Sequence, residues 1–336
     1  MGRRGGWSRG RDAAETRADN AAAGGEDNDN DRDEEEEAGA GMRPDTCSHC
    51  FRSDFPVLLD PPSSYCRAFS ADTVVLLLIS SAPPNVDKRQ AIRDTWGSGC
   101  RERTSRYRCL FVLGDAGRQG LNEELRKESE RHGDVLQFGF KDAYSNLTYK
   151  TLSSLRWAAS RCSRVRYVMK TDDDMYVNTE LLTRLLEAAA VPAAGFVGGY
   201  CWGRSAPNRD FRSKWYVPFH TFRHAQFPPM CSGTGYVMSR DVVRKVLEAS
   251  GDVPFFHLED VYVALCLQRQ GVRPVRLSGF NNVHVAFDAC QYRLSVLTSH
   301  EVPVEQLRVY WRQAQRCPGE LPSGEDLFLE LPYPPT

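Results

Sequence analysis

The sequence predicts an α/β protein in which helices flank a mostly parallel central sheet. Apolar runs of strand length alternate along the chain with stretches of helical periodicity, which is the order that a parallel sheet requires. The strand-length runs are apolar at nearly every position, as expected for strands that helices cover on both faces. The 336 residues are 41% hydrophobic, so the chain has enough apolar material for a sizeable core.

The predicted elements begin near residue 72. Residues 73–79 form a continuous apolar run typical of a buried strand, and the turn at Pro83-Pro84-Asn85 precedes the first predicted helix. Gly97 ends that helix, and Gly114 ends the second strand. We therefore expect strands at 73–79, 109–113, 135–138, 165–170 and 195–198, and helices at 86–96, 121–131, 148–161 and 179–190.

The two ends of the chain differ from this pattern. Residues 1–45 carry 7 Arg against 13 Asp and Glu and have no apolar period, so they predict a disordered acidic, Arg- and Gly-rich tail. Residues 46–71 are expected to be a lead-in, 72–318 the main domain, and 319–336 a Pro-rich C-terminal tail. The formal net charge of −1 excludes a generic nucleic-acid-binding protein.

Several features bear on the compartment. No apolar run approaches the ~20 residues of a membrane span. Eleven cysteines and the glycosylation acceptor Asn146-Leu-Thr148 favour a secretory compartment, with Asn146 as the predicted glycosylated residue. The odd cysteine count leaves at least one free thiol, and spacing alone does not give the pairing.

The most informative segment is Lys170-Thr-Asp172-Asp173-Asp174, which directly follows a predicted buried strand. Ligands of open α/β sheets collect at the carboxyl ends of strands, and three adjacent carboxylates repel one another unless a cation is present. Asp172 and Asp174 lie two apart on an extended chain and so point to the same side, where they would face one Mn²⁺ or Mg²⁺ ion. Asp173 would face away and brace the loop or contact a sugar. The alternative is a solvated acidic turn.

A second carboxylate pair, Glu259-Asp260, opens a predicted apolar helix, whose N-terminus favours anions. The pair is either a structural cap or, with the distant acidic loop, the source of a general base. Gly233 and Gly235 permit close approach of the backbone to a ligand, although a lone GxG is also typical of a turn. Aromatic side chains that would stack on a sugar ring, or else fill the core, are Trp202, Trp215 and Tyr216.

In this order, the segments resemble the β-1,3-glycosyltransferase family, the inverting group that includes β-1,3-galactosyltransferases. The resemblance runs from about Val74 to Arg316 and is specific through the combination of its motifs. They are Arg89-Gln-Ala-Ile-Arg93-Asp-Thr-Trp96-Gly, Phe111-Val-Leu-Gly114, Asn146-Leu-Thr148-Tyr-Lys150-Thr, Tyr167-Val-Met-Lys-Thr-Asp-Asp-Asp, Lys214-Trp215-Tyr216, Cys231-Ser-Gly-Thr-Gly-Tyr and Leu258-Glu-Asp-Val-Tyr262.

The resemblance implies a GT-A type nucleotide-sugar-binding fold, a UDP-sugar donor, and Mn²⁺ or Mg²⁺ as cofactor. By position, residues 172–174 match the family's DxD motif, which holds the metal and the diphosphate. His300 matches a C-terminal histidine that completes this site. Asp260 matches the acid that deprotonates the acceptor hydroxyl, with Glu259 beside it.

Donor-binding residues are also implied. Arg89 and Arg93 match positions near the nucleotide, where guanidinium groups suit phosphate or ribose, and a helix-surface salt bridge is their alternative. The metal ligands expected on this basis are Asp172, Asp174 and His300. The expected donor-binding positions are Arg89, Arg93, Asp172, Asp173, Lys214, Trp215, Gly233 and Gly235.

The implied activity is transfer of galactose from UDP-galactose to the 3-hydroxyl of a hexosamine-terminated glycan on a glycoprotein or glycolipid, forming a β-1,3 linkage. The alternative donor is UDP-GlcNAc. A glycoside hydrolase would use two separated carboxylates but leaves the Asp triplet unexplained, and the intact acids disfavour an inactive glycan-binding relative. Family members act at the lumenal face of the Golgi behind an N-terminal signal-anchor. In this chain, the acidic tail occupies the position of the signal-anchor. A second departure from the family pattern is Ala264, which stands where the family commonly has Gly.

Overall fold

A central sheet organises the residues that the computed structural model describes, which are 41–49, 54–67, 73–102 and 104–334. The predicted disordered tail lies almost entirely outside these residues. The strands within them are β1 (Val57–Leu59), β2 (Val75–Ser80), β3 (Tyr107–Asp115), β4 (Val135–Lys141), β5 (Tyr167–Asp172), β6 (Tyr176–Val177), β7 (Val197–Trp202), β8 (Met230–Ser239), β9 (Val275–Leu277), β10 (Thr298–Ser299) and β11 (Glu330–Leu331).

The large sheet has the strand order β1-β4-β3-β2-β5-β8-β7-β9-β11, and β6 pairs separately with β10. Strands β2, β3, β4, β5, β7 and β9 point in one direction, whereas β1, β8 and β11 point in the other. The predicted α/β class with a mostly parallel sheet is therefore confirmed. The antiparallel strand β8 lies between β5 and β7, which brings its first residues beside the carboxyl end of β5.

Helices cover both faces of this sheet, because residues of the buried strands alternate between two apolar layers. In β2, Leu76 and Leu78 pack on one face, and Val75, Leu77 and Ile79 pack on the other. The helices are α1 (Val86–Asp94), α2 (Gln119–His132), α3 (Leu147–Arg161), α4 (Thr179–Glu187), α5 (Arg240–Ala249), α6 (Glu259–Arg269), α7 (Ala289–Leu294), α8 (Val304–Ala314) and α9 (Gly324–Leu327). Helices α3, α5 and α6 lie on the Leu76 face, and α1, α4 and α8 on the other.

Three segments expected to lie outside regular structure take part in it. In the expected lead-in, Val57–Leu59 pairs with β4. In the expected C-terminal tail, Gly324–Leu327 packs as a helical turn on α4, and Glu330–Leu331 pairs with β9. Gly233 and Gly235, for which a turn was one of two interpretations, lie inside the ten-residue strand β8. These edge and glycine-containing strands have too little hydrophobic patterning to be recognised from sequence, because pairing with a preformed sheet supplies their stability.

Four disulfides cross-link the described residues, and the buried Cys266 is a free thiol among them. The Cys201–Cys231 bridge joins β7 to the start of β8. None of the described helices combines the length and apolar character that crossing a bilayer requires. The bridges are Cys66–Cys162, Cys100–Cys109, Cys201–Cys231 and Cys290–Cys317.

A buried ion network joins α1 to α2. Arg89, whose side chain is 1% exposed, donates to both carboxylate oxygens of Glu128 at 2.9 and 2.7 Å. Arg93 lies between Glu128 and Asp134: its Nη2 donates to both carboxylates at 2.7 Å, and its Nε donates a second bond to Asp134 at 2.9 Å. A buried charge without its partner is costly, so the network holds the two helices in register only while it is complete.

Replacing Glu128 should test this network. Glu128→Ala removes the carboxylate shared by two buried guanidinium groups, and we expect it to lower the free energy of unfolding by about 3–5 kcal/mol. Urea denaturation followed by circular dichroism measures the change. Glu124→Ala on the exposed side of α2 is the matched control and should stay within about 0.5 kcal/mol of the unaltered chain. Equal losses of unfolding free energy in both variants would show that the network stabilises the chain no more than an exposed carboxylate does.

Candidate active site

A cleft of about 420 Å³ opens where β5 ends, β8 begins and α6 starts. Ligand sites of open α/β sheets lie at this edge, as the sequence predicts. Most of the predicted site residues meet there. The lining includes Tyr144, Lys170, Asp172, Asp174, Trp202, Lys214, Trp215, Gly233, His257, Glu259, Asp260 and His300.

Asp172 and Asp174 both line the cleft, as their alternation on an extended chain predicts. The Nε2 atom of His300 lies 3.6 Å from Oδ1 of Asp174. That Oδ1 is buried, and no described residue donates a hydrogen bond to it. The structure thus brings together the three residues expected to ligate a metal and leaves one carboxylate oxygen unsatisfied.

Asp173 points away from the cleft and braces the loop, which is one of the two roles predicted for it. Its Oδ2 accepts hydrogen bonds from the Ser81 hydroxyl at 2.7 Å and from Asn85 Nδ2 at 2.9 Å. Its Oδ1 forms an ion pair with Lys88 Nζ at 3.0 Å. Asp173 does not line the cleft, so its predicted contact with the donor is not supported by its position.

The centre of the site is the buried ammonium of Lys170, whose side chain is 3% exposed. Its Nζ donates to Asp172 Oδ1 at 2.7 Å and to the carbonyl oxygen of Gly233, and lies 3.7 Å from Glu259 Oε2. Burial alone would lower the pKa of Lys170, but the neighbouring carboxylates raise it above its ordinary value. Lys170 therefore stays charged and ties β5, β8 and α6 together.

The two adjacent acids of α6 have different surroundings. Glu259 is buried, and its Oε1 accepts a 2.6 Å hydrogen bond from the Tyr236 hydroxyl. Asp260 faces the cleft and accepts a hydrogen bond from its neighbour's backbone, Val261 N, at 2.9 Å. The structure therefore favours Asp260 as the group that reaches a substrate, and Glu259 as the group that positions Lys170.

Removal from water perturbs the acids of the cleft. It raises the pKa of Asp172 to about 6, although the Lys170 ammonium opposes this shift. Burial also raises the pKa of Glu259 and that of Asp260 above their ordinary values. A carboxylate with a raised pKa is a stronger base, so Asp260 suits proton abstraction from a hydroxyl group.

Aromatic and cationic side chains form the outer wall of the cleft. Lys214 Nζ lies 4.6 Å from the centre of the Trp215 ring, and 52% of Trp215 is exposed. Trp202 also lines the cleft, whereas the Tyr216 side chain does not. Exposed rings at a cleft are suited to stacking on the apolar face of a sugar.

The two glycines of β8 differ in position. Gly233 lines the cleft, and a Cβ atom there would lie 3.0 Å from Glu259 Oε2, so a side chain would crowd the Lys170 cluster. Gly235 is buried further along the strand, opposite Thr171 and against Met169, and does not line the cleft. The strand has already entered the core at Gly235, and the expected donor contact of this residue stays a prediction.

Arg89 and Arg93 also lie outside the cleft. Their guanidinium groups form ion pairs with Glu128 and Asp134 in this structure, and their expected contact with the nucleotide stays a prediction. The structure shows the salt bridges that were the alternative for these two arginines, but the salt bridges are buried and do not lie on the helix surface. Arg89 still connects to the acidic loop, since its Nη1 donates to Ser81 Oγ, which donates in turn to Asp173.

Asn146 lies at the start of α3, and its Nδ2 donates to the carbonyl oxygen of Lys141 at 2.8 Å. The hydroxyl of Thr148, the third residue of the acceptor triplet, is buried and donates to the carbonyl oxygen of Phe256. Glycosylation of Asn146 stays a prediction. Ala264 is 1% exposed and packs in the apolar core away from the cleft, so its methyl group does not crowd the site.

The chemistry of the acidic residues suits a hard divalent cation. Among the described residues, no three His, Cys, Asp or Glu side chains form a ready-made metal cage. The unsatisfied oxygen of Asp174, the neighbouring imidazole of His300 and the carboxylate of Asp172 nevertheless supply oxygen and nitrogen donors at one edge of the cleft. This donor set fits a cation that completes its shell with phosphate oxygens of a ligand, as Mg²⁺ commonly does.

Comparison with known proteins agrees with this geometry. A family model described as galactosyltransferase matches residues 87–278, which contain most of the cleft. The α/β fold, the acidic cleft and this match define the protein as a glycosyltransferase. A glycoside hydrolase is therefore no longer an alternative.

Curated relatives narrow the class. The chain is 40% identical over 238 residues to β-1,3-galactosyltransferase 1 of Mus musculus and of Homo sapiens, covering 70% of this chain and 72% of each relative. It is 37% identical over 248 residues to β-1,3-galactosyltransferase 2 of Homo sapiens, covering 72% of this chain and 58% of that relative. The chain therefore belongs to the galactosyltransferase family. A solved mannosyltransferase from Pyrobaculum calidifontis overlays with a TM-score of 0.37 at 15% identity, covering 80% of this chain and 70% of that one.

Lys170 is the main residue of the site for which no role was predicted. A signal was present, because a lysine inside an otherwise apolar strand two residues before Asp172 points to the same side as that acid. Tyr144 and His257 also line the cleft without having been predicted. Tyr144 begins a short 3-10 helical turn before α3, and His257 lies in the loop before α6, neither of which has a recognisable sequence pattern.

Removal of the Lys170 charge should destabilise the site. Lys170→Met keeps most of the side-chain volume but leaves Asp172 and Glu259 without their shared cation, and we expect a loss of about 3–5 kcal/mol in unfolding free energy. Urea denaturation measures it, and Lys127→Met on the exposed face of α2 is the control. A Lys170→Met chain as stable as the control would mean that the two acids do not need this cation.

Proposed function

We propose that the protein transfers galactose from UDP-galactose to the 3-hydroxyl of a hexosamine-terminated glycan and forms a β-1,3 linkage with inversion. Family membership and the names of the relatives support the reaction. The single observation that carries the mechanism is that Asp260 and the pair Asp172 and Asp174 line one cleft. One set of acids thus serves the donor diphosphate, and the other acid serves the acceptor.

On the donor side, Asp172, Asp174 and His300 would hold Mn²⁺ or Mg²⁺ together with the diphosphate of the UDP-sugar. A cation bound there supplies charge neutralisation for the departing UDP. Asp173, held by Ser81, Asn85 and Lys88, keeps the loop in place without touching the ligand. The exposed ring of Trp215 offers a stacking surface for a sugar, and Lys214 beside it adds positive charge.

On the acceptor side, Asp260 acts as general base. The acceptor oxygen forms a bond to the anomeric carbon from the face opposite the diphosphate, the bond from that carbon to the diphosphate oxygen breaks, and the hydroxyl proton passes to Asp260. A single displacement of this kind inverts the configuration of the anomeric carbon. Glu259 also lines the cleft, but it is buried against Lys170 and Tyr236, and through them it fixes the first turn of α6, on which Asp260 lies.

We also propose that the enzyme acts at the lumenal face of the Golgi on glycoproteins or glycolipids. The four disulfides support an oxidising compartment, since such bridges are rare where thiols are kept reduced. The names of the relatives support the reaction type rather than the location.

Replacing the proposed base should separate catalysis from donor binding. Asp260→Asn removes the proton acceptor and keeps the side-chain shape, so we expect turnover to fall by about 10²–10⁴-fold while UDP binding stays nearly unchanged. Transfer to a GlcNAc-terminated acceptor and calorimetric titration with UDP measure the two quantities. Asp87→Asn on the exposed face of α1 is the control. Retained turnover in Asp260→Asn would remove Asp260 from this role.

Donor choice and metal dependence are tested in one assay. We expect transfer from UDP-galactose to exceed transfer from UDP-GlcNAc, to stop with EDTA and to return with Mn²⁺. Asp174→Asn should raise the Mn²⁺ concentration needed for half-maximal rate, because it weakens the oxygen donor that lacks a partner. A preference for UDP-GlcNAc would show that the proposed donor sugar is wrong. Full activity in EDTA would contradict the proposed metal dependence.

A further inference from the structure

A second cavity, of about 1220 Å³, lies next to the catalytic cleft and is rich in arginine; we call it the basic recess. Its wall combines four arginines with glutamine and aromatic side chains, and Asp45 is the one carboxylate among the lining residues. The arginine and glutamine residues that define it are Arg43, Arg204, Gln226, Gln268, Arg269 and Arg273.

Two of the four arginines are already committed to protein partners. Arg43 donates to the carbonyl oxygens of Phe255 and Pro254, at 3.0 and 2.5 Å. Arg269 pairs with Asp252 at 2.9 Å. Both groups therefore shape the wall of the recess.

The other two arginines, Arg204 and Arg273, are exposed, and within the described residues neither has a carboxylate partner. Arg273 lies over the ring of Tyr333, 5.2 Å from its centre, and the Tyr333 hydroxyl donates to the carbonyl oxygen of Pro274. Stacking of this kind orients a guanidinium group and leaves its N–H donors free. The recess thus presents two uncompensated positive charges, one of which is held in place.

The recess and the catalytic cleft share a wall. Along β7 and the following loop, Trp202 lines the cleft, whereas Gly203 and Arg204 line the recess. On the other side, His257 lines the cleft and stacks on Phe256, which packs against Phe222 at the recess with ring centres 5.9 Å apart. Trp202 and the buried ring of Phe256 therefore lie between the cleft that holds Asp260 and the recess that holds Arg204.

Closure of the recess depends on the C-terminal segment. A Cβ atom at Gly203 would lie 2.6 Å from the Tyr333 ring, so only glycine lets this ring approach the end of β7. The side-chain amides of Gln226 and Gln268 add hydrogen-bonding groups of the kind that bind sugar hydroxyls. Amides, aromatic rings and unpaired guanidinium groups together suit a glycan that carries negative charge.

We propose that the basic recess binds an anionic substituent, sulfate or carboxylate, on the acceptor glycan while the terminal hexosamine of that glycan lies at Asp260. The inference rests on the proposed function and narrows its acceptor to acidic glycans. Arg204 and Arg273 are specificity-determining residues in this account, since they contact a distal part of the acceptor and not the reacting atoms.

Three acceptors test the proposal: a neutral GlcNAc-terminated oligosaccharide, the same oligosaccharide sulfated on an internal sugar, and one with a uronic acid at that sugar. We expect a higher kcat/KM for at least one anionic acceptor in the unaltered chain. The double variant Arg204→Gln with Arg273→Gln should lower that value about tenfold and leave the neutral acceptor unchanged. Comparison of the sulfated and carboxylated acceptors identifies which anion is bound.

Two control variants distinguish an effect of positive charge at the recess from an effect of the net charge of the whole chain. Arg204→Lys with Arg273→Lys keeps both charges and should retain most of the preference. Arg131→Gln on the exposed face of α2 changes the net charge elsewhere and should have no effect. The preference should also weaken as salt is raised from low ionic strength, because exposed charges are screened.

The proposal is overturned if the unaltered chain uses the three acceptors equally, or if the double glutamine variant loses the neutral and anionic acceptors alike. It is also overturned if an acidic peptide inhibits through Arg204 and Arg273 while the anionic glycans gain no preference, since the recess would then bind peptide. Failure of the proposed function is distinct, because the neutral acceptor would then receive no galactose from UDP-galactose.

Discussion

One buried cation makes the acidic cleft compatible with a folded protein. Asp172, Glu259 and Asp260 all lie within or beside a partly dry site, where like charges repel strongly. The Lys170 ammonium contacts the first of these acids and lies 3.7 Å from the second, and it also bonds to the backbone of β8. Two strands and the start of α6 therefore meet at a single charged atom. Movement of β5 or α6 away from this atom would leave a carboxylate without its cation.

The sheet register extends this constraint to the rest of the domain. Ser80 of β2 pairs with Asp172 of β5, so the next residues along each strand, Ser81 and Asp173, lie side by side and form a hydrogen bond. Ser81 also accepts from Arg89, which is fixed by Glu128 of α2. The acidic loop is thereby connected to a helix on the surface of the domain through buried polar contacts. The arginine motif of α1 has a structural role and supports the loop from behind.

Much of the fold followed from simple patterns. The uninterrupted apolar runs of β2 to β5 and the helices between them were recognisable because each strand is covered on both faces. The edge strands β1 and β11 and the glycine-containing β8 were not, since their stability comes from pairing with a sheet that the local sequence does not describe. The same division holds at the site. Alternation along β5 placed Asp172 and Asp174 in the cleft, but the position of Arg89 depended on Glu128, 39 residues away.

The different surroundings of Glu259 and Asp260 show how neighbouring carboxylates acquire different roles. Consecutive residues of a helix are turned by about 100°, so they cannot face the same surroundings. One rotation directs Glu259 towards Tyr236 and Lys170, where its charge is balanced and its hydrogen bonds are satisfied. The next directs Asp260 to the cleft, where burial raises its pKa above the ordinary value. Burial among fixed partners makes one acid a support, and the same first turn of α6 presents the other as a base.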